Sequence, residues 1–171
     1  MRRTSRQKKA QRALGQKLAY FVTVRTFECK KVFDDAEKAS ALVDFIEHTR
    51  RRVGFKKYAY CVLPDHYHVL FGAGADSGSV ADAILAINKA TERYIELPDD
   101  GQPLWDDEPD VLVIYSAKAR FEKLNYIHNK PVLCGFVERP EDYAFSSARF
   151  YYKRYGRTQF SPDDKPGEPQ E

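Results

Sequence analysis

Cys61-Val-Leu-Pro-Asp-His-Tyr-His-Val-Leu-Phe71 decides the fold, because apolar and polar residues alternate beyond a Pro64-Asp65 break. After that break His66, His68 and Leu70 share one side of a strand, and Tyr67, Val69 and Phe71 take the other. Before it, Lys57 to Leu63 reads as a second strand, so the two form an antiparallel hairpin or tight bend. Two imidazoles two residues apart on a strand can point at one ion, and neutral imidazole is the commonest protein metal ligand. A polar face turned to water has the same pattern, and the chain has only four histidines.

Upstream, Leu18 to Phe27 is β-branched and aromatic, with Tyr20, Val22, Val24 and Thr26 alternating against Phe21, Thr23 and Arg25, the mark of a strand. Asp34-x-x-Glu37 resembles a capping box, and Ala39, Leu42, Val43 and Ile46 follow at helical spacing, predicting a helix over roughly 35–52. Downstream, 72–78 reads as a loop. Ser79-x-x-Asp82 opens a second helix with Val80, Ala83, Ile84, Ile87, Thr91 and Tyr94 on one stripe. Val111 to Tyr115 is a short apolar strand. The order is β-α-β-β-α-β, an α+β plan with a ferredoxin-like antiparallel sheet.

Ser116 caps a further helix whose Ala117, Phe121, Leu124 and His128 form a buried stripe. At about 100° per residue Tyr126 lies roughly 200° round from Leu124. It therefore stands on a polar face among Glu122, Lys123, Asn129 and Lys130, either as an amphipathic tyrosine or as a residue with chemistry of its own. His128 reads as a satisfied core histidine. Pro131 is expected to end or kink the helix at Lys130. Glu138 to Tyr143 reads as a turn and Ser146 to Tyr152 as a final helical or extended cover.

The 171 residues, 43% hydrophobic and 31% charged, suit one domain with a real core. The expected division is a flexible basic arm over 1–17, a domain over 18–157 and a disordered acidic, proline-rich tail over 158–171. No apolar run approaches a membrane span and the basic N-terminus is no signal peptide, so a cytoplasmic protein is expected. Three scattered cysteines, Cys29, Cys61 and Cys134, read as reduced thiols. Net charge is +3, but without residues 161–171 there remain 27 basic and 21 acidic side chains, or +6. A basic body fits a polyanion such as nucleic acid, and fits an ordinary soluble protein as well.

Leu63-Pro-Asp-His-Tyr-His-Val-Leu70 resembles the His-hydrophobe-His (HUH) motif of the single-tyrosine, single-strand DNA transposases. Glu122-Lys-Leu-Asn-Tyr-Ile-His-Asn-Lys-Pro-Val132, then Gly135 to Tyr143 and Ser146-Ser-Ala-Arg149, resemble the branch associated with REP elements. The resemblance covers about 18–152 and implies a ferredoxin-like fold with an added C-terminal catalytic helix. It implies that His66 and His68 bind a divalent metal, Mg²⁺ or Mn²⁺, and that Tyr126 is the nucleophile. A metal on a non-bridging oxygen offsets the charge that repels attack on a phosphodiester. A phenol with a pKa of about 10 is a better leaving group than serine, and Lys123 and Lys130 would offset a phenolate's charge. A 5′-phosphotyrosine bond would let another 3′-hydroxyl reverse the step without ATP.

The family's third ligand, Asn or Gln, stands four residues after the tyrosine. Here that position is Lys130, so Asn129 substitutes, water fills the place, or Lys130 meets the phosphate itself. The implied substrate is hairpin DNA with single-stranded flanks, met by the arm, Lys89, Arg93, Lys118 and Arg120; the protein acts as a monomer or homodimer without a membrane. Alternatives are a catalytically impaired DNA-binding descendant and a metal-dependent phosphoesterase, the latter lacking the second His-x-Thr/Ser usual in two-histidine enzymes. The nuclease reading requires Tyr126, His66 and His68 to line one cleft.

Overall fold

The computed structural model describes residues 19–72, 79–96 and 101–162. The basic arm, the loop over 73–78 and the acidic residues from 163 onward lie outside them. The elements are β1 (Ala19–Arg25), α1 (Ala36–Val53), β2 (Lys56–Leu63), β3 (His66–Gly72), α2 (Val80–Tyr94), β4 (Asp110–Ile114), α3 (Ala117–Leu133) and α4 (Ala148–Tyr155). The sheet order is β2-β3-β1-β4 with every pair antiparallel, the ferredoxin-like α+β arrangement expected from the element order.

Period-two alternation divides the core in two. Val22, Val24, Val62, Tyr67, Val69 and Phe71 meet Leu42 and Ile46 of α1 and Ile84 and Ile87 of α2 on one face. Ala19, Ala59, Cys61, Leu63, Leu70 and Ile114 meet Phe121, Leu124 and Ile127 of α3, Tyr151 of α4 and Phe160 on the other. Tyr67 is fully buried between the two histidines, and its hydroxyl donates to Asn88 Oδ1 at 2.8 Å. The three cysteines are free thiols. Among the described residues no helix is long and apolar enough to cross a membrane.

Helix starts follow local hydrogen bonding. Ser79 and Asp82 form the expected capping box. The cap of α1, however, is Asp35 and not Asp34: Asp35 Oδ1 accepts from the Glu37 and Lys38 amides, while Asp34 belongs to a preceding 3₁₀ turn. Gly54 ends α1 at φ +79°, a left-handed conformation in which its amide reaches the Arg50 carbonyl.

The late segments correct three expectations. Helix α3 runs through Pro131 to Leu133 instead of stopping at Lys130. The missing proline amide forgoes one hydrogen bond, but the ring is buried, and the Cys134 amide still reaches the Lys130 carbonyl. Ala117 is exposed, and the buried stripe is Phe121, Leu124, Ile127, His128 and Pro131. The packed body also extends past Arg157: Phe160 is 4% exposed, and its amide and carbonyl both bond the Asn125 side chain.

The stretch 143–149 explains itself structurally. Backbone bonds of Phe145 and Ser147 run along the outer edge of β2, to Val62 and Tyr60. The Tyr143 hydroxyl donates to the Val62 carbonyl, and Arg149 donates to the carbonyls of Glu141 and Asp142. An exposed sheet edge is thereby covered.

Truncating Phe160 to alanine removes an aromatic side chain from a packed site. Urea unfolding is expected to show a loss of roughly 3 kcal/mol; a loss below about 0.5 kcal/mol would place Phe160 outside the core after all.

Candidate active site

The site lies on the α3 face of the sheet, where β1 and β3 run side by side. Register pairs Thr23 with His68 and Arg25 with His66. Phe21, Thr23 and Arg25 therefore share the face of the two imidazoles. The flank of α3 closes over this patch. The Tyr126 ring sits 5.6 Å from the His68 ring and 5.9 Å from Phe21, and the His66 and His68 rings are 4.8 Å apart. An open groove of about 450 Å³ passes between them, lined by Phe21, Arg25, His68, Asp110, Lys123 and Tyr126 among others. The three residues singled out by sequence thus converge.

Each imidazole is oriented by a neighbour. His66 Nδ1 lies 2.5 Å from Asp65 Oδ1; a carboxylate can only accept, so Nδ1 carries the proton and Nε2 the lone pair. His68 Nδ1 lies 2.8 Å from Thr23 Oγ1, and its Nε2 is buried with no hydrogen-bond partner. The orphaned His68 nitrogen and the outer nitrogen of His66 could supply two of the ligands of a divalent cation, and the Asp65–His66 contact matches the carboxylate support of a ligating histidine. Among the described residues no group of three or more His, Cys, Asp and Glu could hold a metal, so further ligands would come from substrate, water or an amide.

Electrostatics keep both rings neutral. Burial, followed by the neighbouring His66 and Lys130, pushes His68 down to about 3. Burial also lowers His66, against the pull of Asp65. Lys123 and Lys130 hold their ammonium groups 5.6 and 5.4 Å from the Tyr126 ring centroid. The charges of Lys130 and Arg25 bear on both imidazoles.

The other expected contacts do not assemble here. Lys89 and Arg93 ride exposed on α2, whose core contacts lie on the opposite face of the sheet. Arg120 stacks on Tyr58 at 4.8 Å, and Lys118 is exposed in the first turn of α3. His128 is fully buried: Nδ1–H donates to the Thr158 carbonyl and Nε2 accepts from the Ser147 hydroxyl, a core histidine as expected. Sequence reading missed Thr23, Arg25 and Asp110. The first two were in phase with Phe21 on the first strand, which was the available signal.

No protein-family model matches the chain. The chain is 26% identical over 172 residues to the "Putative REP-associated tyrosine transposase" of Haemophilus influenzae, covering 88% of each. A solved REP-associated tyrosine transposase bound to a REP hairpin shares its fold, with a TM-score of 0.69 at 20% identity over 86% of this chain and 85% of that one. The chain is thus similar to a REP-associated tyrosine transposase in sequence and shares the fold of another. His68 of the His-Tyr-His strand and Tyr126 of the late helix line one groove, with the His66 ring 4.8 Å from that of His68.

The two most depressed histidines, His68 at about 3 and His128 at about 4, owe their shifts first to burial. Below about pH 6.5 the unfolded chain binds protons that the folded chain refuses, so stability falls as pH drops toward 4, by up to about 1.4 kcal/mol per unit for each group. Denaturant unfolding at about pH 7.5 and 4.5 should show this decline, with neither imidazole titrating by NMR above about pH 5; a flat profile contradicts the burial.

Proposed function

We propose that the protein is a metal-dependent endonuclease and strand transferase for single-stranded DNA flanking a hairpin, working through a 5′-phosphotyrosine intermediate. The observation that carries this reading is the Tyr126 ring packed 5.6 Å from an imidazole whose outer nitrogen is buried without a partner. The relative bound to a REP hairpin supports the substrate class, and a cytoplasmic site of action goes with it.

His66 and His68 would hold Mg²⁺ or Mn²⁺ through their Nε2 atoms. When bound, the cation offsets charge on a non-bridging phosphate oxygen. The Tyr126 oxygen attacks phosphorus, losing its proton to solvent. A P–O(Tyr) bond forms as the P–O3′ bond breaks, and the departing 3′-oxygen takes up a proton. Lys123 and Lys130, which approach the Tyr126 ring, offset the charge on the phosphate and on the phenolate. A second 3′-hydroxyl reverses the exchange and rejoins the strand. Phe21 and Tyr126 offer ring faces for unpaired bases at the groove.

A pool of hairpin oligonucleotides with randomised single-stranded flanks, incubated with Mn²⁺, should yield a covalent protein–DNA adduct that disappears in Tyr126→Phe. Adduct that survives this substitution would sink the assignment of the nucleophile. Release of product without any adduct would point to a phosphoesterase.

One observation favours the reading of a catalytically impaired DNA-binding descendant: Lys130 puts a cation beside the imidazoles where the family supplies an amide. A like charge opposes metal binding. Lys130→Asn is expected to tighten Mn²⁺ binding about tenfold by titration calorimetry, since one nearby repulsion is removed. Wild-type binding already tighter than that of the variant would show that Lys130 does not oppose the ion.

A further inference from the structure

Arg25 closes β1 on the face that carries Phe21 and Thr23, and its cross-strand partner is His66. It lines the groove with His68, Lys123 and Tyr126. Its position therefore borders the imidazoles on one side and β4 on the other, in the groove that Tyr126 also lines. In the free protein its Nη1 is held at 2.5 Å by Asp110 Oδ2, with the two side chains 46% and 68% exposed. Lys123 and Lys130, by contrast, lie over aromatic rings.

Exposed ion pairs of this kind contribute little and exchange readily. A guanidinium has five donors, and this carboxylate contact engages one terminal nitrogen, so a phosphate can approach the others before the carboxylate leaves. Two phosphate oxygens match the planar fork better than one carboxylate oxygen does. The exchange keeps the arginine paired, and Asp110, already mostly exposed, passes to water. The segment before it, Asp106-Asp107-Glu108, adds negative charge at this end of the groove, and the Asp106 amide bonds the Arg25 carbonyl at 3.0 Å. A nucleic-acid strand entering here meets repulsion unless one of its phosphates takes the guanidinium.

We propose that Arg25 binds the scissile phosphate beside Tyr126, and that Asp110 occupies the guanidinium as an internal competitor until that phosphate displaces it. This rests on the single-strand DNA reading above. The competing role, a clip that merely fastens β4 to β1, predicts the opposite sign for loss of Asp110.

The test is a double-mutant cycle in the full chain carrying Tyr126→Phe, measured by anisotropy with the same pool of hairpin oligonucleotides. Asp110→Asn should tighten binding at least about threefold, and Arg25→Gln should weaken it and lower the logarithmic salt slope by about one. In the Arg25→Gln background the Asp110→Asn gain should shrink to that of Glu108→Gln, a neighbouring charge without Arg25 as partner, whose own gain should be smaller than that of Asp110→Asn in the presence of Arg25. Thermal melts confirm that each variant is folded. An Asp110→Asn gain undiminished without Arg25 reports bulk charge, and weakened binding in Asp110→Asn reports the clip; either overturns the proposal. The wild-type adduct assay, run in parallel, separates the two levels. An adduct with an additive cycle overturns the proposal alone; neither adduct nor binding overturns the DNA reading with it.

Discussion

The register between β1 and β3 is the constraint on which the site depends. Pairing Thr23 with His68 and Arg25 with His66 sets two imidazoles, a hydroxyl and a guanidinium on one face of adjacent strands. A slip of one residue would turn the histidines toward α1 and α2 and bring Tyr67 out of the core. Burial on the other side opposes that slip: Val22, Val24, Tyr67, Val69 and Phe71 are all 2% exposed or less. The hydrophobic face thus holds the polar one in place, and α3 then needs only to cross at the right angle for its flank to bring Tyr126 down beside His68.

The proposed function asks the polar face to take an anion and a cation together. Two neutral imidazoles leave lone pairs for a metal, with Asp65 and Thr23 fixing their ring nitrogens. Around them stand three cations, Arg25, Lys123 and Lys130, whose charges oppose a lone metal ion and suit one accompanied by phosphate. The acidic segment ahead of β4 restrains that positive field at one end. On the proposed function, such a balance would leave the site idle until a strand delivers phosphate to it.

Much of this was legible because strand alternation and helix caps are local. The period of two placed His66 and His68 together, and Ser79 with Asp82 marked a helix start that the fold kept. Asp34 and Asp35 stand side by side, so only the preceding 3₁₀ turn decides which becomes the cap. The run of α3 through Pro131 and the burial of Phe160 depend on tertiary packing, which no window of sequence carries. Lys89 and Arg93 were expected at the DNA because their helix face is charged. Right-handed crossovers set α1 and α2 on the same side of the sheet, away from the histidines, and that rule places both residues outside the groove. Arg25 was overlooked because one arginine on a strand carries no pattern by itself; its meaning comes from the cross-strand neighbour.

The most direct check of this account is paramagnetic line broadening by Mn²⁺, followed residue by residue in NMR spectra of the protein with an uncleavable oligonucleotide bound. Broadening should be strongest at the His66 and His68 imidazoles and the Tyr126 ring, falling off through Thr23 and Arg25 and sparing the exposed face of α2. Broadening centred on Asp106 to Asp110, or spread evenly over the surface, would mean that the imidazoles and the phenol do not share an ion, and the nuclease reading would fall with them.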